Sequence, residues 1–145
     1  MSTTGSSPVP LAVTQPTLVS ESLRRSFDDA WSHVAELRGG AALLATVADT
    51  ADGDVLDHLV RGGHVWTATV DTAVWGFAVV RQRVVEGVWV NPRERRHGTA
   101  RALLAALSSS REPPRDAWAL PGDRATKSLY ESVGWRARLL TMRGA

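Results

Sequence analysis

The sequence predicts a mixed α/β domain of the α+β kind, and three observations carry that prediction. Val-, Thr- and Trp-rich stretches follow one another between His64 and Val90, which reads as consecutive strands. Two apolar stripes at helical spacing come after them, Ala100-Leu103-Leu104-Leu107 and then Ala125-Leu129-Val133. Between the third strand and the first of these helices, the chain passes from extended residues through a turn bearing Arg and Gly straight into a helix.

The first 16 residues are rich in Ser, Thr, Pro and Gly without periodicity, and are expected to form a flexible tail or a single edge strand around Leu11 to Val13. Residues 17–145 are expected to form one domain, long enough to bury a sizeable core. From Ser20, a plausible N-cap, Leu23, Phe27, Ala30, Trp31, Val34 and Leu37 follow helical spacing up to the stop at Gly39-Gly40. Ala41 to Val47 is apolar throughout, so strand and helix both remain open there. Asp54 to Val60 reads as a short helix closed by Gly62-Gly63.

His64 to Val70 and Ala73 to Val80 are joined by Asp71-Thr72 and read as a β-hairpin, with a third strand, Val84 to Val90, after the polar Gln82-Arg83. The helix that follows starts near Gly98. A strand at Ala117 to Leu120, a helix entered through Pro121-Gly122-Asp123 with Gly134 at its C′ position, and a strand from Trp135 to Met142 complete the order β-β-β-α-β-α-β.

Composition narrows the chemistry. The chain has no Cys, so it has no disulfide, no thiolate metal site and no Cys nucleophile. His33, His58 and His64 lack metal-ligand spacing, and no metal is expected. There is no run of about 18 apolar residues, and no charged n-region leads into an apolar h-region, so a cytoplasmic protein without membrane association is expected. The net charge of +2 is small. A nucleic-acid binder using Arg93, Arg95, Arg96 and Arg101 would need further basic or aromatic residues along one face, and Asp116, Asp123 and Glu131 dilute the field.

The turn ahead of the Ala100 helix is suited to an anion. First-turn amides have no partner within a helix, the dipole favours negative charge there, and Gly98 has no Cβ to keep a phosphate away. Arg95 and Arg96 add positive charge beside it.

The pattern Val90-x-Pro92 followed by Arg95-x-x-Gly98-x-Ala100 resembles motif A of the GNAT superfamily, the acyl-coenzyme A dependent N-acyltransferases. A second segment resembles motif B. It runs Leu120-Pro121-Gly122-Asp123-Arg124-Ala125-Thr126-Lys127-Ser128-Leu129-Tyr130-Glu131-Ser132-Val133-Gly134-Trp135, with Asp123 where the family commonly carries Asn. The resemblance covers roughly residues 64–142. It implies a mixed, mainly antiparallel central sheet flanked by helices, with motif A as strand-turn-helix and motif B as strand-helix. It also implies acetyl-CoA as cosubstrate and an amine that attacks the thioester directly. Many members end in two strands after the motif B helix, whereas one fits here. The acceptor-side wall is therefore expected to be open, or completed by a second subunit in a homodimer.

The resemblance assigns the residues. Tyr130, the only tyrosine, stands where the family carries its proton donor for the departing thiolate, and a phenol stays protonated at neutral pH. A buried core tyrosine with its hydroxyl on the backbone is the competing reading. Glu86 is the candidate base, acting directly or through water, with bound water or the acceptor itself as the alternatives; strand alternation is expected to point it to the same face as Val88 and Val90. Main-chain contacts from Trp89 and Val90 to the pantetheine arm are implied, as for an added strand. Phosphate contacts are implied from Arg95, Arg96, His97, Gly98, Thr99 and Ala100, and a pantetheine hydrogen bond from Asp123, which lacks the amide donor of Asn. An acyl-CoA-binding module without catalysis is the alternative that the Asp123 substitution keeps open. Nothing in the sequence specifies the acceptor amine.

Overall fold

Five strands lie side by side in chain order in the computed structural model, which describes residues 10–49, 51–138 and 142. These are β1 (Ala12–Thr14), β2 (Val65–Val70), β3 (Ala73–Arg81), β4 (Val84–Val90) and β5 (Asp116–Ala117). The first four pair antiparallel and β5 joins β4 in parallel. The β2–β3 hairpin turns at Asp71, with φ of 56°, a residue type that tolerates the left-handed region. At the β3–β4 turn both Gln82 and Arg83 have positive φ, as a two-residue hairpin loop requires. Arg83 also anchors the approach to β5, since its carbonyl accepts from the Arg115 amide and its Nε donates to the Pro113 carbonyl.

Helices cover both faces. On one side lie α1 (Glu21–Ala35), α2 (Gly40–Ala48) and α3 (Val55–Arg61). Ser20 caps α1 by accepting from the Leu23 amide at 3.0 Å, and Asp54 caps α3 by accepting from the Asp57 amide at 2.9 Å. The Arg24 guanidinium bridges to Asp54 at 3.0 Å, tying α1 to α3. The apolar run that periodicity left open is the helix α2, because Leu43 and Val47, four residues apart, pack together on the core beneath α1. On the other side lie α4 (Thr99–Ser108) and α5 (Arg124–Ser132).

Two apolar clusters follow from this layering. Leu23, Phe27, Leu56 and Leu59 meet Val65, Phe77 and Val79 under α1 to α3, while Leu104, Leu107 and Tyr130 meet Ala78 and Val85 under α4 and α5.

Three expected strands change. The one at Ala117 to Leu120 is reduced to β5, Asp116–Ala117, and residues 118–120 carry no regular structure, since the chain leaves β4 after the Trp118–Val85 bond. The strand around Leu11 to Val13 is an edge strand shifted by one residue, Ala12–Thr14, paired to β2. The strand expected from Trp135 to Met142 does not begin where proposed: residues 135–138 carry no regular structure, because Trp135 turns back to stack on Tyr130 and its amide donates to the Tyr130 carbonyl. Residues 139–141 lie outside the described residues. Among the described residues, no helix is long and apolar enough to cross a membrane.

His64 directly precedes β2 and is partly buried, and burial, reinforced by the Arg81 charge, lowers its pKa below the ordinary value. The folded state therefore binds the proton less readily than the unfolded chain, and stability falls as pH drops through and below about 6.5. Urea unfolding at a series of pH values should show that decline, and His64→Gln should flatten it.

Candidate active site

The sheet parts at its β4–β5 edge. β5 pairs with β4 only at Val84 and Val85, and the Trp118 amide adds one bond to the Val85 carbonyl at 2.9 Å. Beyond that point β4 runs on to Val90 beside β3 alone. Trp89 pairs with Phe77, and the Asn91 amide donates to the Trp75 carbonyl. By the alternation of an antiparallel ladder, Trp89 directs its main chain to β3, and Val88 and Val90 direct theirs to the open side. The Val90 carbonyl is already taken by Arg95 Nε at 3.1 Å.

The register between β3 and β4 slips at the same place. Val79 faces Gly87 and Val80 faces Val85, so Glu86 is an extra residue without a partner on β3. The slip overturns the expected orientation of Glu86. Val85 and Val88, three apart, pack on the α4–α5 side, whereas Glu86 lines a cavity on the α1–α2 side with Phe27, Val47 and Val79. Its carboxylate is 6% exposed and meets Arg81 through both oxygens, Nε to Oε1 at 2.6 Å and Nη2 to Oε2 at 3.1 Å. Arg81 Nη2 also donates to the Thr46 carbonyl at 3.2 Å.

The cavity reaches through the parted strands to the other layer. Trp31 and Leu44 form one wall, Trp89 and Val88 another, and Trp118, Leu120, Asp123 and Thr126 close the far side. The Trp89 indole N–H is buried without a hydrogen-bond partner among the described residues.

At the end of β4 the chain makes a short 3-10 turn, Pro92–Glu94, then reaches α4 through Arg96 and Gly98, both at positive φ. The first amide bonded inside α4 is Ala102, to the Gly98 carbonyl, so those of Thr99, Ala100 and Arg101 precede the ladder. Gly98 has φ of 76°, and a Cβ there would meet nothing within 4 Å, so the approach to these amides is open. Arg96 and His97 are exposed beside them. Arg95 instead lies over the Trp89 ring, 5.0 Å from its centroid. The Thr99 side chain is turned inward with its hydroxyl buried and unpaired, leaving only its amide to the turn.

Asn91 fixes this turn. Its Nδ2 donates to the Val74 carbonyl at 2.7 Å, and the Ser26 hydroxyl of α1 donates to its Oδ1 at 2.6 Å.

Tyr130 and Asp123 stand on the far side of the gap. The Tyr130 hydroxyl donates to the Trp118 carbonyl at 3.2 Å, and burial, with the Asp123 charge adding to it, pushes the phenol pKa well above its ordinary range. Asp123 caps α5: one carboxylate oxygen accepts from the Thr126 amide at 3.1 Å and the other from its hydroxyl at 2.6 Å.

A family model described as an acetyltransferase (GNAT) domain matches residues 61–137, more than half of the chain. The chain belongs to the GNAT acetyltransferase family.

Solved structures agree on the GNAT fold at low identity. The ribosomal-protein-alanine N-acetyltransferase from Brucella melitensis biovar Abortus 2308 is 21% identical, with 96% of this chain and 99% of that one covered and a TM-score of 0.54. A GNAT-family acetyltransferase from Bacillus cereus ATCC 10987 is 16% identical over 90% of this chain and 87% of that one, at a TM-score of 0.56. AAC(6')-Iy, in complex with the bisubstrate analog CoA-S-monomethyl-acetylneamine, is 16% identical over 94% and 99%, at 0.53. A search of curated proteins found no match.

Within this GNAT domain the structure gathers the sequence-predicted residues into two groups. Val90, Arg95, Arg96, His97, Gly98, Thr99 and Ala100 cluster where β4 runs into α4. Glu86, Trp89 and Asp123 line the cavity, and Tyr130 sits behind Trp118. Sequence reasoning missed Val88, whose main chain takes the outward place given to Trp89. It also missed Arg81, although opposite charges flanking the Gln82-Arg83 turn signal a cross-strand pair.

Gly76 lets β3 and β4 approach under the start of α4: a Cβ there would stand 2.5 Å from the Trp89 carbonyl oxygen and 3.3 Å from Thr99 Cγ2. Gly76→Ala should therefore lower unfolding stability by about 1–3 kcal/mol in denaturant titration, as overpacking does.

Proposed function

We propose that this GNAT domain transfers an acetyl group from acetyl-CoA to a primary amine of a small molecule or a protein, by direct attack of the amine on the thioester carbonyl. The observation that carries this is the gap between β4 and β5. Among the described residues it offers the Val88 N–H and C=O and the Val90 N–H at an open strand edge, leads at one end to the unpaired amides of α4, and opens beside an apolar cavity. An extended arm with amide groups fits such an edge as an added strand would. A pyrophosphate fits the amides of Thr99 and Ala100 with Arg96, His97 and Gly98 around it. A cytoplasmic location goes with this reading.

In this reaction the amine nitrogen forms the new C–N bond, the C–S bond breaks, and two protons move. Glu86 takes the proton from the amine through a water: Arg81 engages both carboxylate oxygens, yet each oxygen has a second lone-pair site, and Glu86 lines the cavity. The apolar walls favour the uncharged, nucleophilic form of the amine before attack. Tyr130 gives a proton to the departing sulfur, exchanging its bond to the Trp118 carbonyl for the new one. The raised phenol pKa keeps that proton in place through the neutral range.

One observation favours a second reading, an acyl-CoA-binding module without turnover. The Tyr130 hydroxyl and the Glu86 and Asp123 carboxylates all have partners within the chain. Thiol release separates the two readings, because binding alone releases none.

Acetyl-CoA at a hundredfold excess over its Kd should stabilise the fold by about 2.7 kcal/mol, read as a rise in Tm. An unchanged Tm with every acyl-CoA would sink both readings. Tyr130→Phe should cut kcat for thiol release by about a hundredfold or more and leave the acetyl-CoA shift in place. Full turnover in that variant removes Tyr130 from the chemistry.

A further inference from the structure

We infer that the acceptor is a small monoamine with an apolar or aromatic body, seated in the cavity between α1, α2 and the parted strands. The inference rests on the acetyltransferase reading and names the substrate class that reading leaves open.

The cavity is partly open to solvent and is bounded by residues of α1, α2, β3 and β4 and by the segment from Trp118 to Thr126. Its walls are mainly aliphatic and aromatic, and three of the chain's six tryptophans, Trp31, Trp89 and Trp118, contribute to them. Among the described residues two acidic residues line it. Arg81 offsets the Glu86 charge, whereas the Thr126 amide and hydroxyl hydrogen-bond to Asp123 and leave its single negative charge in place.

That arrangement selects against polycations. Each ammonium group brought out of water needs a counter-charge, and among the described lining residues Asp123 supplies a single one that Arg81 does not already offset, too few for the several ammonium groups of a polycation. A monoamine brings in one nitrogen, the reacting one, and enters uncharged. Its apolar body gains from the burial of surface against Leu44, Trp31 and Trp118.

The test is acetylation of a panel of amines by the full chain, followed by thiol release from acetyl-CoA. Phenylethylamine and isopentylamine should show kcat/KM at least about tenfold above ethanolamine, spermidine and kanamycin. Leu44→Glu, at a partly exposed wall position, should lower kcat/KM for phenylethylamine about tenfold while acetyl-CoA still raises Tm as in the parent chain. Equal or better use of spermidine, kanamycin or an alanine-terminated peptide overturns the inference. So does a rate that climbs with acyl-chain length on every amine, which would give the cavity to the acyl group. Amine binding is read separately, as a saturable change in tryptophan emission when phenylethylamine is added to the chain without acetyl-CoA. Absence of thiol release with all amines would defeat the acetyltransferase reading, whereas thiol release without a saturable change on phenylethylamine would overturn the seating of the amine in this cavity.

Discussion

The extra residue in β4 is the constraint on which the site depends. Without a register slip, Glu86 would follow Val88 onto the α4–α5 side and bring a carboxylate into the cluster of Ala78, Leu104 and Leu107, where an unpaired charge is strongly unfavourable. The slip turns it to the opposite face, where Arg81 meets both of its oxygens. A buried pair of this kind adds little net stability, because desolvation offsets much of the attraction. Its consequence is positional. A bulge bends and twists its strand, and here β4 leaves β5 immediately beside it, after Val85. Arg81 extends the constraint to α2 through the Thr46 carbonyl, so the wall carrying Leu44 and Val47 is referenced to the same point.

Asn91 provides a second reference at the other end of β4. Ser22 and Ser26, one helical turn apart on α1, both reach the β3–β4 layer: Ser22 accepts from the Val74 amide at 2.8 Å, and Ser26 donates to Asn91. Asn91 in turn holds the Val74 carbonyl and, through its own amide, the Trp75 carbonyl. The helix that walls the cavity and the turn that leads into α4 are thereby one hydrogen-bonded unit. Displacement of α1 would be felt at both places.

Local signals made much of the fold legible. Ser20, Asp54 and Asp123 are caps because short polar side chains before apolar stripes satisfy first-turn amides, and each is seen accepting from the predicted helix. The limits of the third strand, Val84 and Val90, were readable because turn residues bound it on both sides. What could not be read depends on pairing between distant segments. The slip at Glu86 leaves no mark in composition, since it exists only relative to β3. The outward phase of Val88 and Val90 is set by the Asn91–Trp75 bond, which periodicity alone does not fix. Ala41 to Val47 was ambiguous because an all-apolar run matches both periods, and packing under α1 decided it. The irregular course of residues 135–138 goes with the Trp135 ring lying on Tyr130, a contact between side chains that a strand pattern does not register.

Tyr130 shows why a structural role and a chemical one need not compete. A parallel ladder continued past Val85 would engage the Trp118 carbonyl along β4, since the Trp118 amide already bonds in that direction. The strands part, and a carbonyl left without a ladder partner in a half-buried place is costly. The Tyr130 hydroxyl satisfies it. A phenol recruited to that carbonyl is therefore held at the edge of the gap by the parting of the strands itself, and burial keeps it protonated there. The bulge that opens the cleft thus also creates the vacancy that draws the only tyrosine of the chain to its margin.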